Sequence, residues 1–173
     1  MSTPRKDPQT VSREGEPLVD SINGVRVRYA VTQIDGRGDL VETYDPRWGL
    51  SDEPMVYSYL ATIRPGVVKG WVMHLRQDDR LFFAFGAMAL VLYDDREGSP
   101  TRGMLNELCF GERRRASVIV PSGVWHAVVN IGEGEGVFLN TPTQPYDHAD
   151  PDKYRLPLVN DLIPYSFDRL RER

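Results

Sequence analysis

The sequence predicts an all-β fold, a jelly-roll sandwich or small barrel that ends in a short helical segment. Three observations carry this. The apolar stretches are short, several of them alternate with period two, and glycine- or proline-bearing turns recur between them. Residues 25–31 follow Gly24 and alternate apolar with polar. Asp35-Gly36-Arg37-Gly38 is turn chemistry. Pro65-Gly66 punctuates before a strand over 67–75. Residues 81–85 and 87–93 flank Gly86. One buried helix over 81–93 competes there, but adjacent aromatics, the glycine and a β-branched tail favour two strands. Residues 116–120 form a β-branched strand that stops at Pro121-Ser122-Gly123. Strands over 127–131 and 137–140 flank a glycine-rich turn, and residues 166–173 suit a short terminal helix.

A chain of 173 residues suits one domain, here 18–173. Residues 1–17 carry Pro4, Pro8, Gly15 and Pro17 among many charges, and read as an arm that is mobile or orders against a partner. Lys plus Arg number 21 and Asp plus Glu 25, a net charge of −4 that argues against a nucleic-acid partner. The single cysteine, Cys109, excludes an internal disulfide and a thiolate metal cluster, and reads as a buried small hydrophobe. The longest apolar run is too short to span a bilayer, and the polar N-terminus lacks a signal-peptide core, so the expectation is a soluble cytoplasmic protein.

The strand over 68–76 bears on assembly. Val68, Gly70, Val72, His74 and Arg76 share one face, while Trp71, Met73 and Leu75 share the other. Apolar residues on both faces call for cover on both, supplied by an arm or a second subunit. A homodimer is the expected state.

Two blocks carry the chemistry: Gly66-x5-Val72-x-His74-x4-Asp79-x6-Gly86 and Pro121-x-Gly123-x2-His126-x3-Asn130. They resemble the two halves of the cupin signature in every spacing, with Val72 where the first histidine would stand and Asp79 in place of a glutamate. His74, Asp79 and His126 remain, a two-histidine, one-carboxylate set that suits Fe(II) or a similar divalent metal such as zinc. The competing reading makes the histidines polar cavity residues and pairs Asp79 with Arg76 or Arg80.

Within the cupins the chain is similar to the dTDP-4-dehydrorhamnose 3,5-epimerase family. The stretches that carry this begin at Asp35-Gly36-Arg37-Gly38, Pro65-Gly66-Val67-Val68-Lys69-Gly70, Ser99-Pro100-Thr101-Arg102-Gly103 and Pro121-Ser122-Gly123, over about residues 20 to 165. The resemblance implies a jelly roll that dimerises through its sheets, and a base–acid pair that removes a proton next to a ketone and returns it on the opposite face. A histidine backed by an aspartate is the family's base, and a tyrosine its acid. Here the base position is Val72, the tyrosine falls near Asn140, and the backing aspartate near Leu158 or Asn160, with Asp161 close by. The usual pair is therefore replaced.

The binding side is better kept. The resemblance places Arg37 and Lys69 at an anionic nucleotide diphosphate, Arg80 near the sugar pocket, and Asn140 and His126 in the cavity. His74 shares the face of Val72, about 6.6–6.8 Å along the strand, so it would act on a shifted substrate. Tyr146, Tyr57 and Tyr59 are candidate acids, the last two also reading as core or rim aromatics. The proline-rich stretch 140–157 reads as a lid or edge clasp over the barrel mouth.

Three functions follow. The first is an epimerase-like isomerase acting on a small carbonyl substrate such as a nucleotide-linked deoxysugar, with His74, His126 and Tyr146 as catalytic residues and no cofactor. The second is a metal cupin using His74, Asp79 and His126. The third is a binding module that kept the cavity and lost the chemistry.

Overall fold

The computed structural model describes residues 6–7, 9–15, 18 and 20–170. The chain lays down β1 (Arg26–Tyr29), a hairpin of β2 (Thr32–Asp35) and β3 (Gly38–Val41), then β4 (Tyr59–Ile63), β5 (Val68–Met73), β6 (Asp79–Phe85) and β7 (Ala87–Asp94). There follow β8 (Leu105–Gly111), β9 (Ala116–Val120), β10 (Val124–Asn130), β11 (Gly136–Asn140) and the short β12 (Tyr154–Arg155). One five-stranded sheet runs β1-β9-β6-β11-β4, a second runs β12-β5-β10-β7-β8, and β2–β3 forms its own two-stranded sheet. The described pairings are antiparallel. This is the jelly-roll sandwich expected from the sequence.

The two sheets bury their inner faces against each other. Leu81, Phe83 and Val118 of the first meet Leu90, Phe110 and Val128 of the second in one apolar cluster. Phe83 stacks on Phe110 with ring centroids 4.7 Å apart. The run 81–93 is two strands, not a helix, and it changes sheets at Gly86. That glycine has φ +80°, and a Cβ there would lie 2.7 Å from the Glu135 carbonyl oxygen.

The outer face of the second sheet carries Trp71, Val91, Trp125 and Ala127. The chain's own C-terminal segment covers it. Ile163, Phe167 and Leu170 lie over it, with the Phe167 ring 5.2 Å from that of Trp71. The terminal helix is a single 3-10 turn, Phe167–Leu170; residues 171–173 lie outside the described residues. Of the arm expected over 1–17, residues 1–5, 8, 16 and 17 also lie outside them. Within the rest, Leu18 N donates to the Thr10 carbonyl at 2.9 Å.

Strand β5 departs from simple alternation. Opposite it on β10, His126 faces Val72 but Val128 faces Lys69, so the register shifts between them. The bulge puts both Lys69 and Val72 on the inner face, while Val68 packs with the outer cluster. Gly70 makes this possible: a Cβ there would lie 2.3 Å from Ala127 Cβ and 2.7 Å from Ala127 Cα. Among the described residues no helix is long and apolar enough to cross a membrane. Cys109 is exposed on β8 rather than buried.

Candidate active site

His126 lies within β10, His74 just past the end of β5, and Asp79 at the start of β6. The link from β5 to β6 carries the chain from the second sheet to the first. Asp79 therefore enters facing back toward the strands that hold the histidines. Its Oδ2 stands 3.2 Å from His126 Nε2 and 3.4 Å from His74 Nε2, with all three side chains at most 10% exposed. Its Oδ1 accepts from Gln77 Nε2 at 3.2 Å.

Each imidazole is oriented from behind. His74 Nδ1 meets the backbone carbonyl of Asp152, and His126 Nδ1 meets that of Val124 at 3.2 Å. A carbonyl oxygen only accepts, so each Nδ1 carries the hydrogen and each Nε2 is left to Asp79. Burial acts to raise the Asp79 pKa, but hydrogen bonds from His126 and His74 outweigh it and hold the carboxyl well below its ordinary range. Burial acts to lower the pKa of His74, and the bond to Asp79 with the Asp152 contacts turns the net shift upward. Imidazole is the side chain suited to taking and giving a proton near neutral pH, and two of them here share one carboxylate oxygen.

The same atoms form a donor set for a cation. The two Nε2 atoms and the carboxylate oxygen lie within 4.8 Å of one another. Both Nδ1–H groups rest on carbonyls, the arrangement that orients metal-binding imidazoles.

The cluster lines a cavity of about 350 Å³ between the sheets. Lys69, Lys153 and Arg155 line it as well. Arg155 reaches it because β12 pairs with β5, setting Arg155 opposite Val72. The stretch 140–157 is thus an edge clasp, as its composition indicated. Burial, then the neighbouring charge of Arg155, pull the Lys153 pKa down. From the first sheet, Tyr59, Leu81, Phe138 and Asn140 line the cavity. Asn140 Nδ2 donates to the Tyr59 hydroxyl oxygen at 2.9 Å.

The structure brings His74, Asp79, His126, Lys69 and Asn140 together on the cavity wall, and Val72 with them. Three other candidates lie elsewhere. Arg37 is on the β2–β3 hairpin, its side chain 90% exposed and paired with Asp35. Arg80 follows an inward Asp79 and so points outward, where its guanidinium donates to the carbonyls of Glu53, Pro54, Thr141 and Pro142. Tyr146 sits in a surface pocket beside Arg76, its ring 4.9 Å from that of His148. Lys153 and Arg155 were not among the sequence candidates. The signal for them was the clasp itself, since a strand added beside β5 must turn alternate residues inward.

The geometry can be set beside known proteins. No family model matches the chain. It is 36% identical over 138 residues to a protein of Haloferax volcanii named probable low-salt glycan biosynthesis epimerase Agl13, covering 79% of this chain and 88% of that one. It is 31% identical over 147 residues to the spore coat polysaccharide biosynthesis protein SpsL of Bacillus subtilis, covering 85% of this chain and 97% of that one. Among solved structures, a dTDP sugar isomerase from Desulfovibrio desulfuricans G20 superposes with a TM-score of 0.79 at 22% identity, over 85% of this chain and 92% of that chain. Relatedness at this level over most of both curated relatives, on a shared sandwich, makes the chain a member of the dTDP-4-dehydrorhamnose 3,5-epimerase-like family of cupins.

Proposed function

We propose that the protein epimerises a nucleotide-linked keto-sugar by moving a proton at a carbon next to the carbonyl. The observation that carries this reading is the buried His74–Asp79–His126 cluster on the wall of a cavity edged by three cations. The names of the Haloferax and Desulfovibrio proteins support the reaction and substrate class. In the reaction, a neutral imidazole Nε2 takes the proton. The C–H electron pair moves into the carbon–carbon bond, and the carbonyl becomes an enolate. Asp79 stabilises the imidazolium that forms. Return of a proton to the opposite face inverts the carbon, and nothing is oxidised or consumed. Val72 occupies the usual base position of the family, yet His126 stands directly across the ladder from it. The imidazole is thus supplied from the neighbouring strand. Lys69, Lys153 and Arg155 hold the diphosphate.

The test is solvent exchange. Purified protein is incubated in deuterated water with a dTDP-linked 4-keto sugar, and deuterium at C3 and C5 is followed by NMR. Exchange is expected, with loss in His126→Ala. Absence of exchange across several nucleotide keto-sugars overturns the reading. If dTDP then still raises the melting temperature, the protein is a binding module.

A second reading rests on one observation: both Nε2 atoms turn toward one carboxylate oxygen. His74, Asp79 and His126 would hold one divalent metal, which would polarise the substrate carbonyl. Metal content of untagged protein, compared with His126→Ala, tests it. The functional unit is proposed to be a homodimer, supported by the exposed apolar Val31, Ile34 and Leu40 in and beside the β2–β3 hairpin. A monomer at micromolar concentration in sedimentation would overturn this.

A further inference from the structure

We infer that Tyr59 is the proton donor on the sugar face opposite the histidines. The inference rests on the epimerase reading and assigns that reaction's second proton. Inversion needs two proton-transfer groups on opposite sides of one carbon, because a single group that removes and returns the proton restores the starting configuration. The sandwich separates the two sides. His74 and His126 belong to the second sheet, while Tyr59 lies on β4 of the first. Both sets line the same cavity.

The hydrogen-bond pattern leaves the phenol proton for a ligand. Asn140 faces Tyr59 directly in the β4–β11 ladder. The amide cannot flip, because its Oδ1 accepts from Arg80 N at 3.1 Å. Its Nδ2 therefore points at Tyr59 and donates to the phenol oxygen at 2.9 Å. The phenol is the acceptor in that bond, so its own hydrogen is not used there. Among the described residues no protein acceptor takes it. Tyr59 lines the cavity and is 38% exposed as a residue, so a ligand there can reach it. Burial and the nearby Asp79 carboxylate push the phenol pKa up to about 12, so it carries its proton throughout the working range. In the step proposed, the Tyr59 O–H bond breaks and a C–H bond forms at the enolate carbon. The tyrosinate left behind is held by the Asn140 N–H; after product leaves it takes a proton from water, and the imidazolium gives its proton up to water, which resets both groups.

The experiment separates exchange from inversion. Wild type and Tyr59→Phe are incubated with a dTDP-linked 4-keto sugar in deuterated water, and NMR follows both deuterium uptake and the inverted product. Tyr59→Phe is expected to keep exchange, with retained configuration, within about threefold, while inversion falls at least about 100-fold. A dTDP-dependent rise in melting temperature equal to that of wild type shows that the variant is folded. Inversion by Tyr59→Phe at the wild-type rate overturns the inference and leaves the epimerase reading standing. Loss of exchange and inversion together overturns it too, since the tyrosine would then serve the first proton transfer. Wild type without exchange or inversion overturns both.

Discussion

His126 and Asp79 meet across the interior of the sandwich: an imidazole Nε2 from one sheet stands 3.2 Å from a carboxylate Oδ2 of the other. His74 reaches the same oxygen from the end of β5. One buried carboxylate thus organises two imidazoles that the chain delivers from separate strands.

Asp79→Asn keeps the shape and removes the charge. It leaves two buried histidines without their shared partner, a change that costs about 3–5 kcal/mol when a buried ionic set is broken. Urea unfolding of the variant should show that loss. Deuterium exchange into substrate should fall by about 100-fold or more.

The stability of this cluster depends on pH from both sides. The His74 pKa is raised on folding, so its contribution is full below the unfolded value of about 6.5 and is lost as pH rises through the folded value. The Asp79 pKa is lowered, so its contribution is present above about 3.9 and is lost as pH falls through the folded value. The stability difference between wild type and Asp79→Asn should therefore peak between about pH 4 and 6.5. Urea melts of both proteins from acid to pH 9 check this; a difference that grows toward pH 9 contradicts the assignment.

Gly70→Ala drives a methyl group into Ala127, where even the backbone Cα is 2.7 Å away. Overpacking of this kind costs about 1–3 kcal/mol. Since the bulge at Gly70 turns Lys69 inward, dTDP affinity should fall along with stability. Calorimetric titration and urea unfolding measure the two, and Ala127→Gly in the same chain should restore part of both.

Lys69→Met, Lys153→Met and Arg155→Met each remove one cation from the cavity wall. A hydrogen bond to a charged group contributes about 1.5–3 kcal/mol, so each should weaken dTDP binding by about 10- to 100-fold. The wild-type affinity should decline with added salt, and less steeply in each variant.

Much of the sandwich is legible in the sequence because its central strands are buried on both faces and bounded by turns. Strands β6, β7, β9 and β10 are of this kind, while β5 and β11 are partly buried but bounded by clear turns. Strand β4 is an edge with Leu60 and Tyr59 exposed, and β8 mixes Asn106 and Glu107 among apolar residues, so neither has a clean period. In the site, the spacing that joins His74, Asp79 and His126 is local to two turns and can be read directly. Parity also reads Arg80: if Asp79 faces in, its neighbour faces out. Lys69 is different, because a bulge is a pairing event that one strand alone does not announce. Lys153 and Arg155 depend on where a distant tail docks. Tyr59 is one of three candidate acids in the sequence, and its ladder partner Asn140 is what sets it apart from Tyr57 and Tyr146.

Asp152, Lys153 and Arg155 are neighbours with different tasks. The carbonyl of Asp152 receives His74, its carboxylate accepts the amides of Leu75 and Arg76, and the two cations after it face the cavity. One hasp of chain therefore fastens both the grip on an anion and the aim of an imidazole. A ligand that pulls on the cations tugs the same peptide that steadies the ring, so tightness of hold and readiness to react are set by a single latch and will drift together as sequences diverge.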